Sequence, residues 1–128
     1  MKVSEASGPA LDWMAAKCEG YTHLRRNPHR FSSERELIMA PPRASYGPVL
    51  LADLAFSTVW SQGGPIIERE EICIKRQKPC SIGYEWNAWS WTKNSGPGGS
   101  GPTPLVAAMR CYVASVLGTE VEVPEELV

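Results

Sequence analysis

Two stretches of the chain combine residue types that could hold a ligand, and the first runs from Trp60 to Glu70. The tryptophan offers a flat ring for stacking, and the Gly63-Gly64 pair lets the backbone turn sharply or approach a ligand closely. Pro65 then fixes φ and removes one backbone donor, which would stiffen the C-terminal side of such a turn. The stretch therefore predicts either a ligand-binding loop or an ordinary tight corner, and both interpretations stay open.

The second stretch is a glycine-rich loop, residues 94–102, that leads into a helix capped by Thr103. Free N–H groups and the positive end of the dipole make a helix start favourable for an anion such as phosphate. The loop lacks the Gly-Lys-Ser/Thr ending of a P-loop and also lacks the dinucleotide fingerprint. Arg110 lies two turns into the helix and off its apolar stripe, so it would reach either a ligand or solvent.

Aromatic and acidic side chains complete the predicted site. Trp60 or Tyr46 would stack on a base or another flat ring, and Glu68 would accept a hydrogen bond from a ribose hydroxyl. Together with an anion-holding helix start, these groups suit a nucleotide-like molecule. The predicted ligand-binding residues are Tyr46, Trp60, Gln62, Gly63, Gly64, Glu68, Thr103 and Arg110.

Catalysis and metal binding have no motif of their own in this chain. Neither His23 nor His29 stands beside a Ser or Cys in a recognisable nucleophile motif. Cys73 and Cys80 are too far apart for the usual zinc knuckle, and the histidines do not complete a ligand set. We therefore predict a non-enzymatic protein with no catalytic residue, no metal ligand and no cofactor.

Length and composition indicate a single globular domain over residues 1–128. The hydrophobic fraction of 43% and charged fraction of 21% are ordinary for such a domain. A formal net charge of −1 argues against a general nucleic-acid binder, although Arg25, Arg26 and Arg30 crowd one segment. The first residues lack the apolar centre of a secretory signal, and no apolar run is long enough to cross a membrane, so we expect a cytoplasmic protein.

Two helices are predicted from their boundary residues. Pro9 and Gly20 delimit a first helix over about residues 9–19, and Pro104 and Gly118 delimit the last one. Apolar residues recur at helical spacing in both. The buried stripe of the last helix is predicted to comprise Leu105, Met109, Tyr112, Val113 and Val116.

Alternating residues between the helices predict a long β-hairpin. Residues 71–75 alternate in part and residues 84–91 alternate fully, with Trp86 on one face of the second strand and Trp89 and Trp91 on the other. Residues 36–39 predict a further short strand, residues 25–30 a basic loop, and residues 49–56 either a strand or a short helix. The predicted fold class is therefore α+β, with two helices packed on a small antiparallel sheet built around the hairpin.

A family resemblance is carried by four segments, which are Gly8–Gly20, Trp60–Glu70, Gly101–Ser115 and Val121–Leu127. Together they resemble the NinX-like family of small accessory proteins from lambdoid phages. Val59 departs from the family pattern, since such proteins often carry Asp before the tryptophan. The resemblance implies a phage origin and a cytoplasmic role in the infected bacterium, and it implies no particular activity.

Phage accessory proteins of this size often counter host defences, and one route is to bind and hold a nucleotide-derived immune signal. That route needs affinity without turnover, so it agrees with the predicted nucleotide-like ligand. A protein-interaction module that inhibits a host factor through the Trp-rich hairpin is the alternative, and a small hydrolase is the third interpretation. Exposed aromatic residues on the hairpin further predict a homo-oligomer.

Overall fold

A computed structural model describes residues 1–27, 36–43, 47–77, 86–90 and 96–127. Its helices are α1 (Gly8–Cys18), α2 (Trp60–Arg69) and α3 (Pro104–Leu117). Its strands are β1 (Thr22–Arg26), β2 (Leu37–Ala40), β3 (Val49–Leu50), β4 (Ile72–Arg76), β5 (Trp86–Ser90) and β6 (Gly99–Gly101). Short 3-10 segments cover Val3–Glu5, Leu51–Asp53 and Glu125–Leu127. The predicted α+β class is confirmed, with three described α-helices where two were predicted.

Helix α3 forms the centre of the fold. Every residue from Leu105 to Ala114 is buried, because the helix packs against α1, α2 and strands β4, β5 and β6. Such a helix is covered all round rather than amphipathic, which explains why the predicted stripe is incomplete. Val116 is 45% exposed and was wrongly placed in that stripe, while Arg110 is only 4% exposed. The predicted ends are confirmed, with Thr103 as the N-cap and Gly118 after the last turn.

The strands form two three-stranded antiparallel sheets rather than the one predicted sheet. The order is β1-β2-β3 in the first and β4-β5-β6 in the second. The predicted hairpin is confirmed by the pairing of Ile72 with Ser90 and of Arg76 with Trp86. Ala88 is buried on one face of β5, and Trp89 is 36% exposed on the other.

Two segments predicted as loops belong to strands. Arg25 and Arg26 pair with β2, so at least this part of the predicted basic loop is an edge strand. Gly99–Gly101 is strand β6, although the glycine-rich stretch was predicted to be flexible. Residues 49–56 were predicted as either a strand or a short helix, and the structure has a little of each. The two-residue strand Val49–Leu50 continues into the 3-10 turn Leu51–Asp53.

Strand β6 lies with its backbone directly against α3. A Cβ atom built on Gly99 would overlap the Ala107 carbonyl oxygen and the Cys111 nitrogen, and one on Gly101 would come within 2.8 Å of a Val106 methyl. Only glycine permits so close an approach of a strand to a helix. The glycines of this stretch are therefore used for packing.

The stretch from Trp60 to Arg69 is helix α2, so the predicted corner or loop is wrong. Gly63 and Gly64 have no left-handed φ and continue the helix, and Pro65 lies inside it. Gly63 is needed for packing, because an added Cβ would overlap the Phe56 carbonyl oxygen and lie 2.6 Å from the Leu105 side chain. Tertiary contact here overrides the turn propensity of the Gly-Gly-Pro sequence.

Candidate functional site

The guanidinium of Arg110 links three parts of the chain. Its Nε donates to the carbonyl oxygen of Ala6 at 2.9 Å, and its Nη1 donates to that of Ser100 at 2.9 Å. Helix α3 thereby holds β6 and the chain just after the N-terminal 3-10 turn. The expectation that Arg110 might only face solvent is wrong, because hydrogen-bonded burial fixes its charge in one position.

A cavity of about 580 Å³ opens above this arginine, and we call it the glycine-strand cavity. Its floor is formed by Arg110 and Ala114 of α3, and its sides by strands β5 and β6 and by both ends of the described chain. The lining residues are Lys2, Val3, Ser4, Asn87, Ala88, Trp89, Pro97, Gly98, Gly99, Ser100, Arg110, Ala114, Thr119 and Glu120.

The lining of the glycine-strand cavity offers groups for both halves of an anionic, ring-containing ligand. Trp89 is 36% exposed, so its indole is accessible for stacking. Lys2 and Arg110 supply positive charge, against the single carboxylate of Glu120. Asn87 provides an amide that can both donate and accept hydrogen bonds. The balance of lining charge therefore favours an anion.

The predicted residues on α2 lie away from this cavity. Trp60 is the first residue of α2 and is 56% exposed. Gln62 is used internally, since its side chain accepts from the Ala55 N–H at 2.8 Å and donates to the Asp53 carbonyl at 2.9 Å. The Gly63 N–H bonds to the Val59 carbonyl within the helix.

Three further predicted residues also lie outside the lining of the glycine-strand cavity, namely Gly64, Glu68 and Thr103. A Cβ on Gly64 would meet nothing within 4 Å, and Glu68 is exposed on α2. The Thr103 hydroxyl accepts from the Val106 N–H at 3.2 Å, so α3 caps its own N-terminus. Tyr46 lies outside the described residues.

The Gly63-Gly64 pair lies against the start of α3 and does not share the glycine-strand cavity with Arg110. Gly63 contacts Leu105 near the start of α3, so the first turns of α2 and α3 lie side by side. Arg110 instead faces β6 and Ala6. Of the predicted ligand-binding residues that the structure describes, Arg110 lines the glycine-strand cavity and the others do not.

A second cavity, of about 570 Å³, lies between α1, β2 and the 3-10 turn at Leu51–Asp53, and we call it the acidic cavity. Its lining is mainly apolar, and its three ionisable residues are all acidic. The lining residues are Pro9, Asp12, Glu36, Leu37, Leu50, Leu51, Ala52, Leu54, Ala55, Thr58, Glu126 and Leu127.

Asp12 is the buried ionisable group of the acidic cavity, with 8% of its surface exposed. Its Oδ1 accepts from the Ser57 N–H at 2.9 Å and from the Ser57 hydroxyl at 2.7 Å. Burial raises the pKa of Asp12, and the two bonds from Ser57 oppose that rise without cancelling it. Neither Asp12 nor Ser57 was predicted as a functional residue, although an acid within the apolar run from Ala10 to Ala16 is a visible signal in the sequence.

A polar cluster joins the C-terminal ends of α1 and α2 to Tyr112 of α3. Arg69 donates to both carboxylate oxygens of Glu19, at 3.0 and 2.6 Å, and the Tyr112 hydroxyl donates to Glu19 at 2.6 Å. Burial alone would raise the pKa of Glu19, but these bonds outweigh it and lower the pKa. Burial and the Glu19 carboxylate together raise the pKa of Tyr112. The phenol therefore stays a hydrogen-bond donor, which suits a structural cluster.

Metal-ligating residues do not gather anywhere in the described part of the chain. No group of three His, Cys, Asp or Glu residues there is placed to hold an ion. Cys18, Cys73 and Cys111 form no disulfide, and Cys80 lies outside the described residues. None of the described helices is both long and apolar enough to cross a membrane.

These features define a small α+β protein whose described residues form a central buried helix and line the glycine-strand and acidic cavities. The sequence model of the family described as Bacteriophage P22, NinX matches residues 2–116, and the chain belongs to this family. The predicted family resemblance is thereby confirmed. A comparison with curated protein sequences found no match.

Proposed function

We propose that this phage-family protein binds a small anionic, nucleotide-like molecule in the glycine-strand cavity and holds it without chemical turnover. The observation that carries the proposal is the combination of a buried arginine and an accessible tryptophan in the wall of one cavity of about 580 Å³. Cavities of roughly 300–1,000 Å³ are typical of small-molecule sites.

The lining residues suggest how such a ligand would be held. Its flat ring stacks on Trp89, and its phosphate lies towards Lys2 and Arg110, where the low-dielectric floor strengthens the attraction. Asn87 reads the edge of the ring, and Glu120 accepts from a sugar hydroxyl. This assignment keeps the predicted ligand class and Arg110 while moving the stacking residue from Trp60 or Tyr46 to Trp89.

Sequestration of a host immune signalling nucleotide is the biological role that we propose for this binding. A phage family supplies the context, and a fixed cationic floor supplies affinity without requiring a catalytic group. In this role the protein acts in the cytoplasm of the infected bacterium and lowers the concentration of the free signal. We further propose a homo-oligomer, since Trp89 leaves an aromatic surface beside the cavity.

Native mass spectrometry after incubation with cyclic nucleotides and ADP-ribose-type nucleotides tests the proposal directly. A retained, unaltered nucleotide supports it, and the same spectra give the oligomeric state. Consumption of a nucleotide would instead establish the hydrolase interpretation. If nothing is retained and nothing is consumed across the panel, the proposed ligand class is wrong.

Two tryptophan substitutions then locate the site. Trp89→Ala should weaken binding of a retained nucleotide by about fivefold to a hundredfold, because one base–aromatic stack contributes roughly 1–3 kcal/mol. Trp60→Ala is the matched control, since Trp60 is more exposed and lies outside the cavity. Equal weakening by both variants, or weakening by Trp60→Ala alone, would contradict the assignment to the glycine-strand cavity.

A protein-interaction module is the second candidate function, and the exposure of Trp89 on the hairpin favours it. In that case Trp89→Ala would abolish capture of a host protein, while any nucleotide affinity would be unchanged. Trp91, the other tryptophan predicted for this surface, lies outside the described residues.

A further inference from the structure

We propose that the acidic cavity is a second ligand site, which takes a small cation consisting of an ammonium group on an apolar body. Such a ligand differs in charge from the one proposed for the glycine-strand cavity, so the two proposals are independent. The inference starts from the hydrogen bonding of Asp12.

Only one of the two carboxylate oxygens of Asp12 is used by the protein. Oδ1 accepts both bonds from Ser57, and no described residue donates to Oδ2. Among the described side chains, no fully buried nitrogen or oxygen lacks a hydrogen-bond partner, so Oδ2 must be reachable from outside. Because Asp12 is 8% exposed and lines the acidic cavity, that opening is the cavity itself.

The two donors on Oδ1 also determine what Oδ2 can accept. A backbone N–H and a hydroxyl both directed at Oδ1 favour the carboxylate form and so oppose the burial that raises the pKa of Asp12. An ammonium beside Oδ2 favours the same form, in which Oδ2 accepts hydrogen bonds and carries negative charge at the wall of a largely apolar space. A ligand with N–H donors satisfies it, whereas a carboxylate or phosphate ligand does not.

The rest of the lining selects a positively charged and partly apolar ligand. The other ionisable lining residues, Glu36 and Glu126, are acidic, so the cavity repels anions. The buried side chains of Leu51 and Leu54 provide an apolar wall for the body of the ligand. An ammonium has three donors, enough for Oδ2 and for one of the other carboxylates.

A titration with three probes of matched shape tests the inference. Phenethylammonium, 2-phenylethanol and phenylacetate share the same apolar body and differ in charge. We expect phenethylammonium to bind most tightly and phenylacetate least, with ¹H–¹⁵N shift changes in α1 and at Leu51–Asp53. Equal affinities, a preference for the neutral or anionic probe, or shift changes elsewhere would overturn the proposal.

Asp12→Asn is the sharpest variant because its amide can keep both bonds from Ser57 through Oδ1. Its Nδ2 then presents a neutral donor to the cavity, so phenethylammonium affinity should fall by about tenfold to a hundredfold. Glu126→Gln at the exposed edge should weaken it by only about two- to fourfold. Lys2→Gln, a change in the other cavity, should leave it unchanged.

The proposal of a cation site in the acidic cavity can be tested even if a substituted variant does not fold. The ranking of the three probes by the unsubstituted protein stands as a test even where Asp12→Asn does not fold. If a folded Asp12→Asn variant bound phenethylammonium as tightly as the unsubstituted protein, the role of Oδ2 would be refuted.

Discussion

The adjacent glycines of α2 allow a stability test in which one position controls for its neighbour. Gly63 and Gly64 occupy consecutive positions in the same helix, so replacing either with Ala brings a gain in helix propensity. At Gly64 that gain is offset in part, because a Cβ on the residue before Pro65 disfavours the helical conformation. Beyond its chain neighbours an added Cβ on Gly64 meets nothing within 4 Å, whereas one on Gly63 overlaps the Phe56 carbonyl oxygen and lies 2.6 Å from Leu105.

The magnitudes follow from these contacts. Gly64→Ala should change the free energy of unfolding by no more than about 0.5 kcal/mol, because the propensity gain of about 0.5–1 kcal/mol is offset by the restriction on the residue before Pro65. Gly63→Ala has the full propensity gain but presses a methyl group against a backbone carbonyl, and overpacking of this kind costs about 1–3 kcal/mol. Because the Phe56 carbonyl cannot rotate away as a side-chain end would, we take the upper part of that range and expect a net loss of about 1–2 kcal/mol.

Urea unfolding followed by tryptophan fluorescence measures both values, and thermal unfolding provides a second scale. At about 2.1 cal/mol/K per residue, the unfolding entropy of a chain of this length makes 1 kcal/mol equal to roughly 4 °C. Gly64→Ala should therefore melt within about 2 °C of the unsubstituted protein, and Gly63→Ala about 4–8 °C lower. A Gly63→Ala variant as stable as Gly64→Ala would refute the close packing of α2 on α3.

Three further outcomes concern stability, and urea unfolding measures each of them. The pKa of Glu19 is lowered in the folded protein, so its contribution to the free energy of unfolding is present at neutral pH and is lost as the pH falls through its folded pKa. Glu19→Gln should therefore cost about 1 kcal/mol near pH 7, since its partner Arg69 is half exposed, and markedly less near pH 3; an equal loss at both pH values would contradict this. The pKa of Asp12 is raised above its ordinary value of 3.8, so the stability associated with its protonated form is lost as the pH rises through the folded pKa. Asp12→Asn should remove that decline, and an unchanged pH profile would show that Asp12 does not titrate as inferred. Thr103→Ala should cost about 1 kcal/mol because it removes the hydroxyl cap of α3, and a neutral result would mean that the cap bond to the Val106 N–H is not formed in solution.

Local signals were sufficient to predict the outer helices and the hairpin. Pro9 and Gly20 bracket α1, Thr103 and Gly118 bracket α3, and alternation identifies β4 and β5. Each of these signals acts within one element, through capping, backbone freedom or side-chain alternation. They therefore hold before any tertiary contact is known.

The glycine-rich segments could not be predicted in this way. The sequence around Gly63 has the propensity of a turn, yet contact with Phe56 and Leu105 makes glycine necessary inside a helix. Gly99 likewise belongs to a strand because β6 must lie against the α3 backbone. A glycine required for close approach and a glycine required for a turn are identical in the sequence, and only the packed partner distinguishes them.

The candidate site shows the same limit. Arg110 was predicted to lie off the apolar stripe and to reach a ligand or solvent, because α3 was taken to have one exposed face, whereas the helix is covered all round and Arg110 is buried. Trp89 was predicted to lie on a contact surface for a subunit or a ligand, and Lys2, which lies 87 positions before it in the sequence, was not considered. Cavities formed by both ends of a chain depend on topology that no local pattern encodes.

Arg110 both holds backbone segments together and lines the glycine-strand cavity, and this limits how ligand preference can change among related proteins. Its two bonds to backbone carbonyls make it part of the scaffold, so a substitution there would disturb β6 and the N-terminal segment together with the cavity floor. Lys2, Trp89 and Glu120 line the same cavity at positions that are exposed to solvent. Under the proposed function, new specificities would therefore arise by replacing residues at the mouth, while the attraction for negative charge at the floor stayed constant.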